Sequence, residues 1–236
     1  MQFFVFCLEW MKKKLGKHCP KMIRWYGRSI EDQKFPIPGK TPTNAHGDRV
    51  KADQSLSDVS MHLLIRQLGK PYQEEIAAYD RQFRQHSGGV DYKVVKKYKS
   101  IVTKAVIEEV KHHDVIFCTT AMATNLKVLK GTTNRIFQII VDECGMCTEP
   151  ESMAAIIATR AQQVVLIGDH KQLRPIVKCS EAAKLGLEKS LFERYASRAT
   201  LLTSQYRMVS YTCDRRGHDS VVVGFITTFA ISAYHH

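Results

Sequence analysis

Three short apolar runs, each closed by polar or acidic side chains, constrain the fold of this chain more than any other feature. They are Asp114-Val115-Ile116-Phe117-Cys118-Thr119-Thr120, then Ile136 to Val141 followed by Asp142-Glu143, and Gln163 to Ile167 followed by Gly168-Asp169. Near-continuous rather than alternating apolar residues are the pattern of strands buried on both faces of a sheet. Between the second and third runs, Glu149 to Ala158 reads as a helix, with Pro150 in the first turn where its missing N–H costs nothing. Strand, helix and strand at this spacing make a βαβ unit, hence a parallel sheet with a right-handed crossover. Leu187 to Tyr195 predicts a further helix and Ala199 to Leu202 a fourth strand. The fold class is α/β.

Upstream, the periodicity is helical. Ser57-Asp58 can cap a helix carrying Leu63, Leu64 and Leu68, ended by Gly69-Lys70-Pro71. A second helix is expected over 73–84, and a third from about Tyr92 to His112. The third has Val94, Val95, Tyr98, Val102, Val106 and Val110 on one side and Lys93, Lys96, Lys97, Lys99 and Lys104 on the other. Those lysines form either a solvated face or a surface that tracks phosphates. The first 55 residues read as irregular and basic, with Phe35-Pro36-Ile37-Pro38-Gly39 unable to lie inside a helix. Residues 209–236 fit no pattern, and either add one strand or stay disordered.

Charge narrows the choice of partner. With 35 Lys+Arg against 23 Asp+Glu the formal net charge is +12, which favours a polyanion, nucleic acid before an acidic membrane. No apolar run approaches the roughly 20 residues that cross a bilayer. Phe3 to Leu8 has no basic lead and meets Glu9 at once, a poor secretory signal. These features predict an intracellular protein, cytoplasmic and/or nuclear. Seven cysteines at irregular spacing fit reduced thiols, and Cys144-Gly145-Met146-Cys147 has no evident second pair with which to hold zinc.

In parallel sheets, ligands bind beyond the carboxyl ends of the strands. Those ends here offer Thr119-Thr120, Asp142-Glu143, Gly168-Asp169 and Gln205-Tyr206-Arg207. Two adjacent acids can hold Mg²⁺ through water and orient an attacking water, and an arginine can neutralise charge on a transferring phosphate. The plain alternative for Asp142-Glu143 is a solvated loop start, but four matching strand ends argue against coincidence.

Val141-Asp142-Glu143-Cys144-Gly145-Met146-Cys147-Thr148-Glu149-Pro150-Glu151 resembles motif II (Walker B) of superfamily 1 helicases, in the up-frameshift-type branch that includes zinc-finger-containing helicases. Gly168 to Pro175 resembles motif III, Ser190 to Tyr195 with Leu201 to Met208 resembles the run into motif IV, and Val115 to Thr120 resembles motif Ic. The resemblance implies a RecA-like P-loop NTPase fold, incomplete in this chain. It divides the chain into a basic lead-in following motif Ia (1–55), a helical insertion (56–113), a RecA-like core (114–208) and the unassigned tail (209–236). It implies an ATP-dependent RNA/DNA helicase using ATP and Mg²⁺, monomeric, acting on RNA more than DNA, with RNA-decay or transcription proteins as possible partners and no membrane. Asp142 would hold Mg²⁺ through water, Glu143 would act as general base, and Gln172 would sense the γ-phosphate. Arg207 would be the arginine finger. Thr119, Thr120 and His170 would meet nucleic acid.

The sequence also departs from that pattern. A P-loop needs Gly five residues before its Gly-Lys-Thr, yet Lys34 precedes Gly39-Lys40-Thr41, Pro36 and Pro38 fill the loop, and Pro42 follows. Pro offers no amide to a phosphate. A working P-loop is therefore expected upstream of Met1 rather than here, and motifs V and VI are not recognisable after Met208. The alternative function is a catalytically dead remnant that binds nucleic acid or a partner.

Overall fold

The computed structural model describes residues 10–11, 13–38, 54–85, 88–132, 136–169, 171 and 173–200, and the backbone of 228–232. Five strands form one sheet: β1 (Met22–Arg24), β2 (Val115–Cys118), β3 (Ile136–Val141), β4 (Gln163–Leu166) and β5 (Thr228–Ser232), in the order β1-β2-β5-β3-β4. The principal helices among the described residues are α1 (Arg28–Lys34), α2 (Met61–Leu64), α3 (Gln73–Gln85), α4 (Tyr92–Val110), α5 (Thr120–Ala123), α6 (Leu126–Thr132), α7 (Glu149–Thr159) and α8 (Leu191–Tyr195), with short helical turns over Ser180–Ala182 and Ala183–Leu187 before α8. β1 pairs parallel with β2, and β3 parallel with β4, whereas β5 lies between β2 and β3, antiparallel to both. β1 to β4 therefore run the same way, and their carboxyl ends share one edge. The fold is the mixed helix and sheet arrangement of a partial RecA-like P-loop NTPase.

The three apolar runs form β2, β3 and β4, and the helix between the last two forms α7. Its capping box joins Thr148 and Glu151. β2 is buried along its whole length, as a central strand should be. β4 is not: Gln163 and Val164 are exposed, and among the described residues β4 is the last strand on its side of the sheet. Ala199 and Thr200 form no strand, and 201–202 lie outside the described residues.

The stretch expected to be irregular contains β1 and α1. Three residues bounded by Lys21 and Trp25 are too few to show a period. Their pairing is long-range: the Lys21 carbonyl accepts from the amides of Asp114 and Val115, and the Lys21 amide donates to Asp114 Oδ2 at 2.7 Å. The helix expected from Ser57 instead starts after Ser60, with 54–59 in a tighter 3₁₀ turn, and Leu68 stands exposed on the following turns.

α2 to α4 pack as a helical layer on the sheet's core, with Met61, Ile76, Phe83, Tyr98 and Val106 in one apolar cluster with Ile116 and Ile139. Asp91 caps α4 by accepting from the Lys93 amide. Lys93, Lys96, Lys97 and Lys104 are exposed, whereas Lys99 is half-buried. A polar triad ties the turn after α2 to α3 and α4. Arg66 Nε donates to Asp80 Oδ2 at 2.7 Å, Arg66 Nη2 to the Tyr98 hydroxyl at 2.9 Å, and that hydroxyl to Asp80 Oδ1 at 2.9 Å. Removing one partner of a largely buried pair leaves the other charge uncompensated, at a cost of about 3 kcal/mol or more. Asp80→Ala should therefore lower the unfolding free energy in urea by about 3 kcal/mol, and a loss below about 0.5 kcal/mol would mean that the triad is not a clamp.

Candidate nucleotide and nucleic-acid site

The carboxyl ends of β3 and β4 are held together beyond the strands themselves. The Ile167 amide donates to the Val141 carbonyl, and the Cys144 amide to the Ile167 carbonyl, both at 2.9 Å. Asp142 then leaves β3 nearly buried, its Oδ1 accepting the Glu143 amide at 2.9 Å. Asp169 leaves β4 equally buried, its Oδ1 accepting the Lys171 amide at 2.8 Å. Two buried carboxylates thus stand at neighbouring strand ends. They are hard oxygen donors of the kind Mg²⁺ takes, and that ion typically keeps several waters and adds substrate phosphates. Among the described residues no group of three or more His, Cys, Asp or Glu could hold a metal, so the fit is to a hydrated ion on one or two acids.

Glu143 adopts a left-handed backbone conformation, φ 51° and ψ 35°. A side chain other than Gly in that region costs about 1–3 kcal/mol and persists where its surroundings over-determine it, often at functional sites. Here the turn is fixed by the Met146 amide donating to the Glu143 carbonyl at 2.9 Å. Glu143 stays half-buried at the mouth of the edge while Asp142 is drawn in.

Two glycines make this packing possible. A Cβ on Gly145 would lie 2.9 Å from the Asp169 carbonyl oxygen, and one on Gly168 2.9 Å from the Gly145 nitrogen. Sequence reasoning gave these residues no role; their place inside both motif turns was the available signal. Asp169 stands at a strand end and within the motif III resemblance without an individual role, and its burial sets it at the same edge as Asp142. α8 packs on the turn at 144–146 from the other side, with Ser190 accepting the Glu193 amide at its cap and Arg194 paired to Glu149. Cys144 is buried with its sulfur 3.6 Å from Ser152 Oγ, and burial pushes the Cys147 thiol up to about 11. Both therefore remain protonated thiols packed behind the turn.

Thr119 and Thr120 sit at the same edge, after β2. Thr119 is exposed and accepts the Met122 amide at 3.3 Å as the cap of α5, so its hydroxyl has a structural duty as well. His170, Gln172 and Arg207 lie outside the described residues, as does Gly39-Lys40-Thr41.

A mixed sheet whose parallel strands gather acids and hydroxyls at their carboxyl ends is the arrangement of a partial RecA-like α/β motor domain. Residues 37–180 match the AAA domain family, to which the chain belongs, and with it to the superfamily 1 helicases of the up-frameshift type. That family is one of ATP-dependent enzymes. The chain is 38% identical over 201 residues to the 3'-5' exoribonuclease HELZ2 of Mus musculus, covering 82% of this chain and 7% of that protein. It is 33% identical over 153 residues to a regulator of nonsense transcripts 1 homolog of Arabidopsis thaliana (64% and 12%). To the ATP-dependent helicase NAM7 of Saccharomyces cerevisiae it is 30% identical over 166 residues (69% and 16%). The chain thus spans a small part, 7% to 16%, of the length of these relatives.

Gly145→Ala should force the two turns apart at a cost of about 1–3 kcal/mol. At about 2–4 °C per kcal/mol for a chain of this size, the melting midpoint should fall by several degrees. Gly88→Ala, with nothing near the added methyl group, is the control. Equal midpoints by circular dichroism would remove the contact as a constraint.

Proposed function

We propose that this chain is the nucleotide- and nucleic-acid-facing part of an ATP-dependent helicase motor that acts on RNA in preference to DNA. The observation that carries the reading is the joining of the Asp142-Glu143 and Gly168-Asp169 turns at the edge that also presents Thr119-Thr120. Asp142 holds Mg²⁺ through water, and ATP bound there supplies the phosphoryl group to be cleaved. Glu143, half-buried and directed by its strained turn, takes a proton from the attacking water. Gln172 senses the γ-phosphate, Arg207 neutralises its developing charge, and His170 joins Thr119 and Thr120 at the nucleic acid. The +12 charge supports a polyanionic partner, and HELZ2, by its name an exoribonuclease, supports RNA over DNA. The chain works inside the cell as a monomer, in cytoplasm and/or nucleus, among proteins of RNA decay or transcription. The proposed divisions of the chain are those at residues 55, 113 and 208.

A second reading, nucleic-acid or partner binding without turnover, is favoured by a specific feature. β5 fills the slot between β2 and β3 antiparallel to both, so its amino end, not its carboxyl end, meets the acidic edge. Residues 35–37 are also committed elsewhere, with Arg66 stacked over Phe35 at 3.5 Å and Ile37 in the core.

RNA-stimulated ATP hydrolysis by the purified chain separates the two. Under the first reading Glu143→Gln abolishes turnover and spares nucleotide binding, because it removes the base and keeps the shape. Turnover that survives in Glu143→Gln would sink the role of Glu143, and no turnover in either protein selects the second reading. Under both, replacing Lys93, Lys96 and Lys97 together by Ala should weaken RNA binding and flatten its log-salt slope by about two to three. An unchanged slope would leave that helix face merely solvated.

A further inference from the structure

A cavity of about 370 Å³ opens at the carboxyl end of β1. That volume is within the range of small-molecule sites, about 300–1,000 Å³. β1 stands three strand positions from β3, about 14 Å at the usual strand spacing, so this space is separate from the Asp142-Glu143 turn. It does adjoin the Thr119-Thr120 turn, because Met122 and Asn125, which follow that turn, line it.

The walls combine aromatic surface with polar groups of both signs. Trp25 and Tyr26 come from the segment leaving β1, Glu31 from α1, Phe35 from the carboxyl end of α1, Lys99 from α4 and Lys127 from α6. The buried Tyr26 hydroxyl has no hydrogen-bond partner among the described residues. Burial pushes the Glu31 carboxyl up, against the pull of the Lys127 and Arg66 charges, and its oxygens face the cavity as hydrogen-bonding groups. Arg28 and Arg66 also line the cavity but are paired with Asp32 and Asp80, so a bare phosphate would compete with those carboxylates and meet Glu31, and a purely apolar ligand would leave the carboxyls desolvated. A neutral planar ring with hydrogen-bonding edges satisfies aromatic wall and carboxyl alike, and Lys99 and Lys127 are then placed for the phosphates beside it.

We propose that this cavity takes a nucleobase of the strand whose backbone passes Thr119 and Thr120. The inference rests on the nucleic-acid reading above and adds to it a discrete seat for one base. Aromatic contact with a base is tolerant of sequence, so the seat grips the strand without selecting among sites.

The test uses Trp25 as the reporter. The chain has two tryptophans, and Trp10→Phe leaves Trp25 alone in the full chain. A 12-nucleotide RNA should quench Trp25 fluorescence saturably, and an abasic 12-mer with the same phosphates should not. Thr103→Phe, which adds a ring to the cavity wall without changing charge, should abolish the quench and weaken RNA binding about tenfold, with a melting midpoint near that of the parent. Lys127→Met is the second variant should Thr103→Phe melt early, and it should weaken binding to the RNA several-fold. RNA binding with no quench and no effect of either variant overturns the seat and leaves the nucleic-acid reading standing. If neither 12-mer binds at low salt, that reading fails, and adenosine decides the cavity alone. Saturable quenching by adenosine would then make it a seat for a free nucleoside, and none would overturn it.

Discussion

The site depends on a close approach of main chains that only glycine permits. Where Gly145 meets Asp169 and Gly168 meets Gly145 and Cys144, a Cβ on either side would lie within about 3 Å of backbone atoms. That contact lets the turn after β3 fold against the turn after β4, and from it the rest follows. Asp142 and Asp169 are drawn inward, Glu143 is left in its left-handed conformation at the mouth, and α8 gains a flat surface to pack on. An acid beyond a strand end would by itself point into solvent. Two strand ends locked together give the carboxylates fixed positions, which is what an electrostatic task requires.

The sheet has a second dependence of a different kind. Among the described residues β2 and β3 do not pair with each other, and the two parallel halves are joined into one sheet through β5. Thr228 is level with both Cys118 and Val141, which sets the amino end of β5 at the carboxyl edge of its neighbours. A Gly-rich phosphate loop springs from the carboxyl end of its strand and leads into a helix. A parallel strand in this slot would deliver such a loop beside Asp142; an antiparallel one delivers the chain entering the strand. The same slot thus closes the sheet and fixes what can stand next to the acids.

Much of this was legible in the sequence because burial leaves a compositional trace. β2, β3 and α7 could be read from apolar runs and a first-turn proline, and the acids after β3 from their place at a strand end. β1 could not, since three residues carry no period and owe their conformation to pairing with β2, ninety residues away. The exposure of β4 was hidden for the opposite reason: its apolar composition says nothing about its lying at the side of the sheet. Leu68 keeps helical spacing with Leu63 and Leu64, but the helix ends at Leu64 and the chain continues in turns, so Leu68 stands exposed. At the site, residue types were visible and close approaches were not. Gly145 and Gly168 look like ordinary motif glycines until the second turn is set against the first.

The two ends of the carboxyl edge make different demands on the chain. Phosphoryl transfer at β3 needs donors from several segments aimed at one phosphate, and the loss of any one leaves the acids without a reaction. Holding a strand of nucleic acid at β1 needs only walls, and β1, α1, α4 and α6 supply them from elements already packed on the core. Lys99 illustrates the division. It belongs by sequence to the lysine row of α4, but it is half-buried against the cavity while Lys93, Lys96, Lys97 and Lys104 face solvent. Under the proposed binding, one helix would supply both a long-range attraction for phosphate and a short-range contact beside the cavity. The proposed binding at this end would require nothing from the slot that β5 occupies, so the fold could sustain it even where chemistry at the acids is blocked.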